Sequence, residues 1–187
     1  MISAEEAIEK LKKGNGQYVA IDMFHTDVSP TTLEHFAKNG QEPYAIIIGC
    51  SDSRVIPERI FHAAIGDLFT IRVAGNVIDD HQLGSIEYAA GHLDCDHIIV
   101  LGHTGCGAVK AALTGGGDGF IKYITDDILE AIGKERDPDR ACCLNVEHAV
   151  SRLRHEFDEH PEIGGVIIEG AVYDIRSGEV KWLDADD

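Results

Sequence analysis

Residues 97–107 read HIIVLGHTGCG, an apolar run that ends in a glycine, a histidine and a cysteine. Two further runs have strand length: residues 44–50 read YAIIIGC and residues 68–72 read LFTIR. All three are continuously apolar rather than alternating, which is typical of parallel strands buried on both faces. The three runs therefore predict the centre of a parallel sheet.

Helical segments are predicted between these strands, over residues 57–64 and 83–93. The resulting β-α-β-α-β order favours right-handed crossovers and helices on both faces of the sheet. Near the end of the chain, residues 165–175 and 180–183 indicate a strand, a turn at Ser177-Gly178 and a returning strand. We therefore expect an α/β fold with three α-β-α layers, a mainly parallel central sheet and a C-terminal antiparallel edge strand.

The remaining segments predict helices and loops around this sheet. Ser3 and Glu6 form a capping box that opens a helix, and the sequence predicts that this helix stops near Gly14. A second helix is expected around residues 31–37, ending before Gly40, and an apolar stripe from Cys143 to Phe157 predicts a long helix. The glycine-rich residues 114–119 and the acidic residues 184–187 are expected to be flexible. We expect one domain over residues 1–187, with a helical arm over about 1–38 and a core over about 41–183.

The charge balance limits the possible partners. The chain has 187 residues and a formal net charge of −17, which disfavours binding to nucleic acid and to anionic membrane surfaces. No apolar run reaches the roughly 20 residues needed to cross a bilayer, and the N-terminus lacks the pattern of a secretory signal. A cytoplasmic protein is therefore expected, and its acidic surface raises adaptation to high salt as an alternative to simple solubility.

Potential metal ligands follow two of the predicted strands. The chain has five cysteines, an odd number that argues against a disulfide framework and favours metal binding or free thiols. Cys50 directly follows the first strand, whereas His103 and Cys106 follow the third. Because sites in open α/β sheets form at the carboxyl ends of strands, these segments are expected to share one cleft.

The types of side chain suit zinc. Taken alone, Cys50 is more simply a small buried residue and His103 a hydrogen-bonded histidine. Together with Cys106 they make a Cys₂His set, which with an open fourth position is typical of catalytic zinc. Asp52 and Arg54 supply an opposite-charge pair beside the ion, able to orient a metal-bound water.

These motifs resemble the beta-class carbonic anhydrases. The resemblance runs from roughly Gln41 to Ala111, and its most specific part is Cys-x-Asp-x-Arg at residues 50–54 followed by His-x-x-Cys at residues 103–106. It implies zinc held by Cys50, His103 and Cys106, with catalytic roles for Asp52 and Arg54. It also implies a substrate-binding set, partly across a subunit interface, of Gln41, Phe69, Ala74, Gly75, Tyr88 and Gly107.

Further expectations follow from that resemblance. Family members are dimers or larger homo-oligomers, so a homodimer or larger assembly is expected. Ile47 stands where some bacterial members have the Trp of a bicarbonate-regulated site. The sequence therefore favours the absence of bicarbonate regulation. Arg72 and Tyr173 resemble other parts of that site and leave the question open.

The reaction expected is the zinc-dependent reversible hydration of carbon dioxide to bicarbonate by metal-bound hydroxide. One alternative is a hydrolase of carbon disulfide or carbonyl sulfide on the same metal site, since fold does not fix substrate. A non-catalytic zinc-binding regulatory protein, with Asp52 as fourth ligand, and a thiol redox protein are the alternatives from other classes.

Overall fold

A five-stranded sheet forms the centre of the molecule. The computed structural model describes residues 2–23, 25–159 and 165–183. The strands are β1 (Ala45–Gly49), β2 (Leu68–Arg72), β3 (His97–His103), β4 (Ile167–Tyr173) and β5 (Val180–Leu183), in the spatial order β2-β1-β3-β4-β5. The first four run parallel and β5 pairs antiparallel with β4 at one edge. The predicted fold class is confirmed.

Seven helices in the described residues surround the sheet. They are α1 (Ala4–Val19), α2 (Pro30–Asn39), α3 (Pro57–Ile60), α4 (Asp80–His92), α5 (Gly107–Leu113), α6 (Ile121–Ile132) and α7 (Pro138–Glu159). Of these, α3 is shorter than the sequence predicts because the backbone turns at His62, whose φ is 48°. No described helix has the length and apolar character that a membrane span requires.

Two layers of helices cover the two faces of the sheet. On one face, residues such as Ile46, Ile98 and Val100 pack against α4 and α7. On the other, the alternate residues, among them Ile47 and Ile99, pack against α1 and α3. Because both faces are buried, every residue of β1 and of β3 is buried, which explains the continuous apolar runs in the sequence.

The first helix departs from the prediction. It begins at the predicted capping box of Ser3 and Glu6 but continues through Gly14 to Val19. A Cβ at Gly14 would lie 1.8 Å from the carbonyl oxygen of Phe61. Gly14 therefore permits a close approach between α1 and the backbone after α3, and the prediction that it stops the helix is wrong.

The two N-terminal helices differ in how they pack. Leu11 of α1 is fully buried, and Asn15 donates hydrogen bonds to the carbonyl oxygens of Ile60 and Gly178. By contrast, α2 has no buried residue. Residues 184–187, which the sequence predicts to be flexible, are outside the described residues. In the glycine-rich stretch, the N–H of Gly117 donates a hydrogen bond to the hydroxyl of Thr125.

A third apolar cluster lies at the carboxyl ends of the strands. It contains Cys50 and Cys106 together with residues of α5, α6 and α7, including Val109, Ile128 and Ala141. The cysteines that follow β1 and β3 are thus enclosed by helices rather than left at the surface.

Candidate metal centre

The sheet brings the two cysteine-containing segments together. β1 and β3 are adjacent and parallel, with Gly49 opposite Leu101, so both strands end at the same edge. Cys50 immediately follows β1, His103 is the last residue of β3, and Cys106 caps the start of α5. Neighbouring strand ends thus place three potential ligands side by side, as the sequence predicts.

Cys50, His103 and Cys106 form a compact donor group. One ligand atom from each lies within 4.8 Å of the other two. All three residues are buried, with exposed fractions of 4%, 1% and 3%. Among the described residues, it is the only group of three or more histidine, cysteine or acidic residues whose ligand atoms are close enough to share a metal ion.

The tautomer of His103 suits a ligand. Its Nδ1 lies 3.0 Å from the carbonyl oxygen of Thr104, which can only accept, so Nδ1 carries the proton. Nε2 then presents a lone pair, and this buried atom has no hydrogen-bond partner in the described structure. An unpartnered buried acceptor is costly unless something binds it, and a metal ion held also by two sulfurs satisfies it.

Backbone N–H groups surround both sulfurs. The N–H of Gly75 donates to Cys50 Sγ over 3.2 Å, and Cys50 also accepts from the N–H of Asp52. Cys106 accepts from the N–H groups of Ala108 and Val109. Such donors favour thiolates, the form in which cysteine binds metal.

The two thiols titrate as a pair because they share one proton. The pKa of Cys50 is lowered to about 4, chiefly by the hydrogen bond from Cys106. The pKa of Cys106 is raised, because its S–H donates a hydrogen bond to the Cys50 sulfur and because the thiol is buried. A divalent cation in the proton's place stabilises both thiolates at once.

Arg54 holds Asp52 at the rim of the donor group. Its Nε donates to Asp52 Oδ1 over 3.0 Å and its Nη2 to Oδ2 over 2.8 Å, while its backbone N–H also donates to Oδ1. These hydrogen bonds keep the pKa of Asp52 well below its usual range. Nη2 also reaches the carbonyl oxygen of Gly105 over 3.4 Å, so Arg54 connects the two ligand loops. Asp52 is outside the donor group, and its two carboxylate oxygens are paired with Arg54.

A second arginine supports the Cys50 loop from β2. Arg72 donates from Nε to the carbonyl oxygen of Cys50 over 2.9 Å and from Nη2 to that of Asp52 over 2.7 Å. The sequence analysis considered Arg72 only in relation to bicarbonate regulation. Its position opposite Gly49 at the end of β2 is the signal that indicates a structural contact with the loop.

The predicted substrate-binding residues fall into two groups. Ala74, Gly75 and Gly107 lie in the turn after β2 and at the start of α5, and Gly75 contacts Cys50. Gln41 is exposed. Phe69 lies opposite Ile46, well before the strand ends, with its ring 6.3 Å from that of the half-exposed Tyr88. In the described residues, the ring contacts of Phe69 and Tyr88 are with each other and with His92.

Asn145 of α7 is a further residue at this site, with no role predicted from the sequence. Its Nδ2 donates to the carbonyl oxygen of Gly75 over 2.8 Å, and the residue is 5% exposed. The available signal is a polar residue on a buried apolar stripe, between Cys142 and Ala149. Burial of an amide on such a stripe indicates a specific partner.

Fold and donor set together define an α/β protein with a buried Cys₂His group, spaced to hold a metal ion, at the carboxyl ends of parallel strands. The family model described as carbonic anhydrase matches residues 45–180. A carbonic anhydrase 2 of Mycobacterium tuberculosis is 47% identical over 95% of this chain and 92% of its own length. A carbonic anhydrase of Mycolicibacterium smegmatis is 41% identical over 94% and 91%.

Solved structures agree. The β-carbonic anhydrase CafA of Aspergillus fumigatus superposes with a TM-score of 0.74 at 31% identity, over 98% of this chain and 91% of that one. A tetrameric β-carbonic anhydrase of Sordaria macrospora gives a TM-score of 0.72 at 28% identity, over 96% and 95%. The chain belongs to the β-carbonic anhydrase family, whose members are metalloenzymes, and the predicted resemblance is confirmed.

Proposed function

We propose that this carbonic anhydrase hydrates carbon dioxide reversibly to bicarbonate on a zinc ion held by Cys50, His103 and Cys106. The observation that carries the assignment is the buried donor group itself, with its atoms within 4.8 Å of one another and the Nε2 of His103 unpartnered among the described residues. Two sulfurs and one imidazole nitrogen are donors that zinc prefers, and three protein ligands are typical of catalytic sites.

Zinc, when bound, lowers the pKa of a water ligand from about 15.7 to about 7 and thereby supplies hydroxide at neutral pH. Asp52 acts as a hydrogen-bond acceptor for that nucleophile, because its depressed pKa keeps it ionised throughout the working range. Arg54 occupies both oxygens of Asp52 from one side. In this role Arg54 restrains the carboxylate, so that Asp52 orients the nucleophile and does not take its place as a ligand.

The substrate pocket is the second part of the proposal. Carbon dioxide is small and apolar, so a dry pocket with few polar groups suits it. We assign its lining to Phe69, Tyr88, Ala74, Gly75 and Gly107, with Gln41 as the hydrogen-bond donor to carbon dioxide or bicarbonate. The pairing of the Phe69 and Tyr88 rings supports an aromatic wall.

The exposure of some of these pocket residues in one chain supports an assembly of at least two chains. Gln41 and Tyr88 are exposed in one chain, and α2 buries none of its residues. Apolar side chains at Ile21, Met23 and Val28 are more than half exposed. We therefore propose a homodimer or larger homo-oligomer of the single domain 1–187, with mass measurement by light scattering as its test. A monomer at micromolar concentration contradicts it.

The cellular location belongs to the same proposal. The five cysteines are free, and three of them lie outside the donor group. Free thiols in this number are typical of a reducing compartment. We propose a cytoplasmic location, which fractionation of cells expressing the chain tests.

The experiment that tests the reaction combines metal analysis with stopped-flow hydration assays. Cys106→Ser replaces a ligand and is expected to lose zinc and at least a thousandfold of the activity, as expected when the group that supplies hydroxide is lost. Cys143→Ser is the matched control, because Cys143 is half-buried and outside the donor group. Full hydration activity in zinc-free protein contradicts the proposal. Parallel assays with carbonyl sulfide and carbon disulfide separate the alternative substrates.

A further inference from the structure

A tight turn after β2 carries one of the hydrogen bonds to the metal centre. Gly75 adopts a positive φ of 73° within the turn Ala74–Asn76. A Cβ at this position would lie 2.8 Å from Ile128 Cδ1 and 3.0 Å from Ala108 Cβ. Glycine therefore allows the turn to fit between α5 and α6 with its N–H pointing at Cys50 Sγ, 3.2 Å away.

This hydrogen bond differs from the others that reach the sulfurs. The N–H of Asp52, and those of Ala108 and Val109, lie two or three residues beyond the cysteine that accepts them. The loop or helix that carries each ligand therefore places its own donor. Gly75 is 25 residues away from Cys50. Val73, just before the turn, is joined to the Cys50 loop by backbone hydrogen bonds with Gly49 and Ser51. Beyond Val73, the turn takes its support from other elements.

Asn145 provides that support from α7. Its Nδ2 donates to the carbonyl oxygen of Gly75 over 2.8 Å, in a contact between residues 70 positions apart. Asn145 is 5% exposed and lies beside Val146 and Ala149 on the buried stripe of the helix. A buried amide among apolar neighbours is stabilised by such a hydrogen bond. The bond holds the Gly75–Asn76 peptide, which adjoins the Ala74–Gly75 peptide whose N–H reaches Cys50.

We propose that Asn145 is a positioning residue of the metal centre, acting through the Gly75 turn to keep its N–H on the Cys50 sulfur. The inference rests on the zinc site proposed above. An N–H···S hydrogen bond withdraws electron density from a thiolate, so the sulfur donates less charge to the cation. With two thiolates in the ligand set, this withdrawal makes the cation a stronger Lewis acid than it would be without the hydrogen bond. Asn145 thus tunes the centre without touching a ligand.

The test compares Asn145→Leu with Val150→Ala. Leucine has the branched shape of asparagine but is larger and has no donor. Val150 lies on the same helix, is 7% exposed and packs in the cluster that does not contain the cysteine ligands. Because the turn no longer holds the Cys50 sulfur in place, we expect Asn145→Leu to weaken zinc binding by about 10–100-fold in a chelator competition, the range typical of lost outer contacts. In the cobalt-substituted protein, its thiolate-to-metal absorption band is expected to move to longer wavelength. Val150→Ala is expected to lower stability while leaving both readouts unchanged.

The outcomes separate this inference from the function it rests on. A wild-type chain that binds neither zinc nor cobalt contradicts the proposed function. A wild-type chain that binds both, with Asn145→Leu indistinguishable from Val150→Ala, overturns the role of Asn145 alone.

A milder variant, Asn145→Ser, serves as the test if Asn145→Leu does not fold. Asn145→Ser retains a hydroxyl donor on a shorter side chain. With an NMR-active cadmium isotope in the site, we expect a scalar coupling between the metal and the Gly75 amide proton in the wild type, and a smaller one in Asn145→Ser. An absent coupling in the wild type, or an equal one in both proteins, overturns the inference.

Discussion

Arg54 satisfies both oxygens of Asp52 while its own guanidinium is largely exposed. The side chain of Arg54 is 55% exposed and that of Asp52 is 18% exposed. An ion pair so close to solvent contributes little to stability, yet its fork geometry fixes the carboxylate in one orientation. The value of the pair therefore lies in where it holds Asp52, beside the donor group rather than within it.

Replacement of Arg54 is expected to release that carboxylate. Arg54→Gln removes the two side-chain hydrogen bonds that hold the Asp52 carboxylate and lower its pKa. We expect kcat/KM for hydration to fall by about 10–100-fold, the range seen when outer contacts of a metal site are lost, with zinc still bound. Arg136→Gln serves as the control, because Arg136 is exposed and its side chain donates to the carbonyl oxygens of Gly133 and Glu135. Unchanged kcat/KM in Arg54→Gln shows that Asp52 needs no restraint.

The three cysteines outside the donor group differ in burial. Burial raises the pKa of Cys95 to about 12 and that of Cys142 to about 11. Their folded pKa values thus lie above the ordinary value of about 8.5, and both thiols stay protonated and unreactive at pH 8. Cys143 is half-buried, and burial also raises its pKa.

Alkylation is therefore expected to be selective. In the folded, zinc-loaded protein at pH 8, iodoacetamide should modify Cys143 slowly and leave Cys95 and Cys142 intact, as measured by peptide mass spectrometry. Cys143→Ser should then remain unmodified until urea unfolds it. Rapid labelling of Cys95 or Cys142, or a disulfide in air-exposed protein, would instead favour the thiol redox alternative.

At the level of elements, α1 shows that the effect of a glycine in a helix depends on contacts with residues far along the chain. Gly14 and Gly16 both lie inside this helix, and each carries the propensity cost of glycine. They differ in surroundings: a Cβ at Gly14 would lie 1.8 Å from the Phe61 oxygen, whereas one at Gly16 would meet nothing within 4 Å.

This difference predicts opposite effects on stability. Gly14→Ala is expected to lower the free energy of unfolding by about 1–3 kcal/mol or more, because backbone atoms must move apart. Gly16→Ala is expected to raise it by up to about 1 kcal/mol through helix propensity. Urea unfolding with matched metal content measures both. Stabilisation by Gly14→Ala would show that α1 does not pack closely on the backbone at Phe61.

The same contrast explains how much the sequence could predict. The strands and the donor group follow from local patterns, because apolar runs fix the parallel sheet and adjacency brings Cys50 to His103. The extent of α1 and the role of Asn145 depend on partners far along the chain, Phe61 and Gly75. Periodicity carries no information about such contacts, so those features required the structure. The roles of Gln41, Phe69 and Tyr88 stay predictions.

At the scale of the whole molecule, the formal net charge of −17 acts on stability rather than on fold. Like charges repel more strongly in the compact state than in the unfolded chain. Salt screens this repulsion, since the Debye length falls from about 30 Å at 0.01 M to about 3 Å at 1 M. The acidic surface is therefore most destabilising in dilute buffer.

Stability is expected to rise with sodium chloride from 0.01 M to 1 M at about pH 7.5, seen as a higher urea midpoint. Chloride is preferred to sulfate, which also strengthens burial of apolar surface. The control is the same titration near pH 5, close to the sequence pI of about 4.8, where the net charge nearly vanishes. Both series use chelated protein, because the ligands release metal as they protonate. A midpoint that rises only at pH 7.5 supports salt adaptation, since electrostatic relief then acts through the net charge. A midpoint that is flat, or that rises equally at both pH values, means that the acidic surface serves solubility alone.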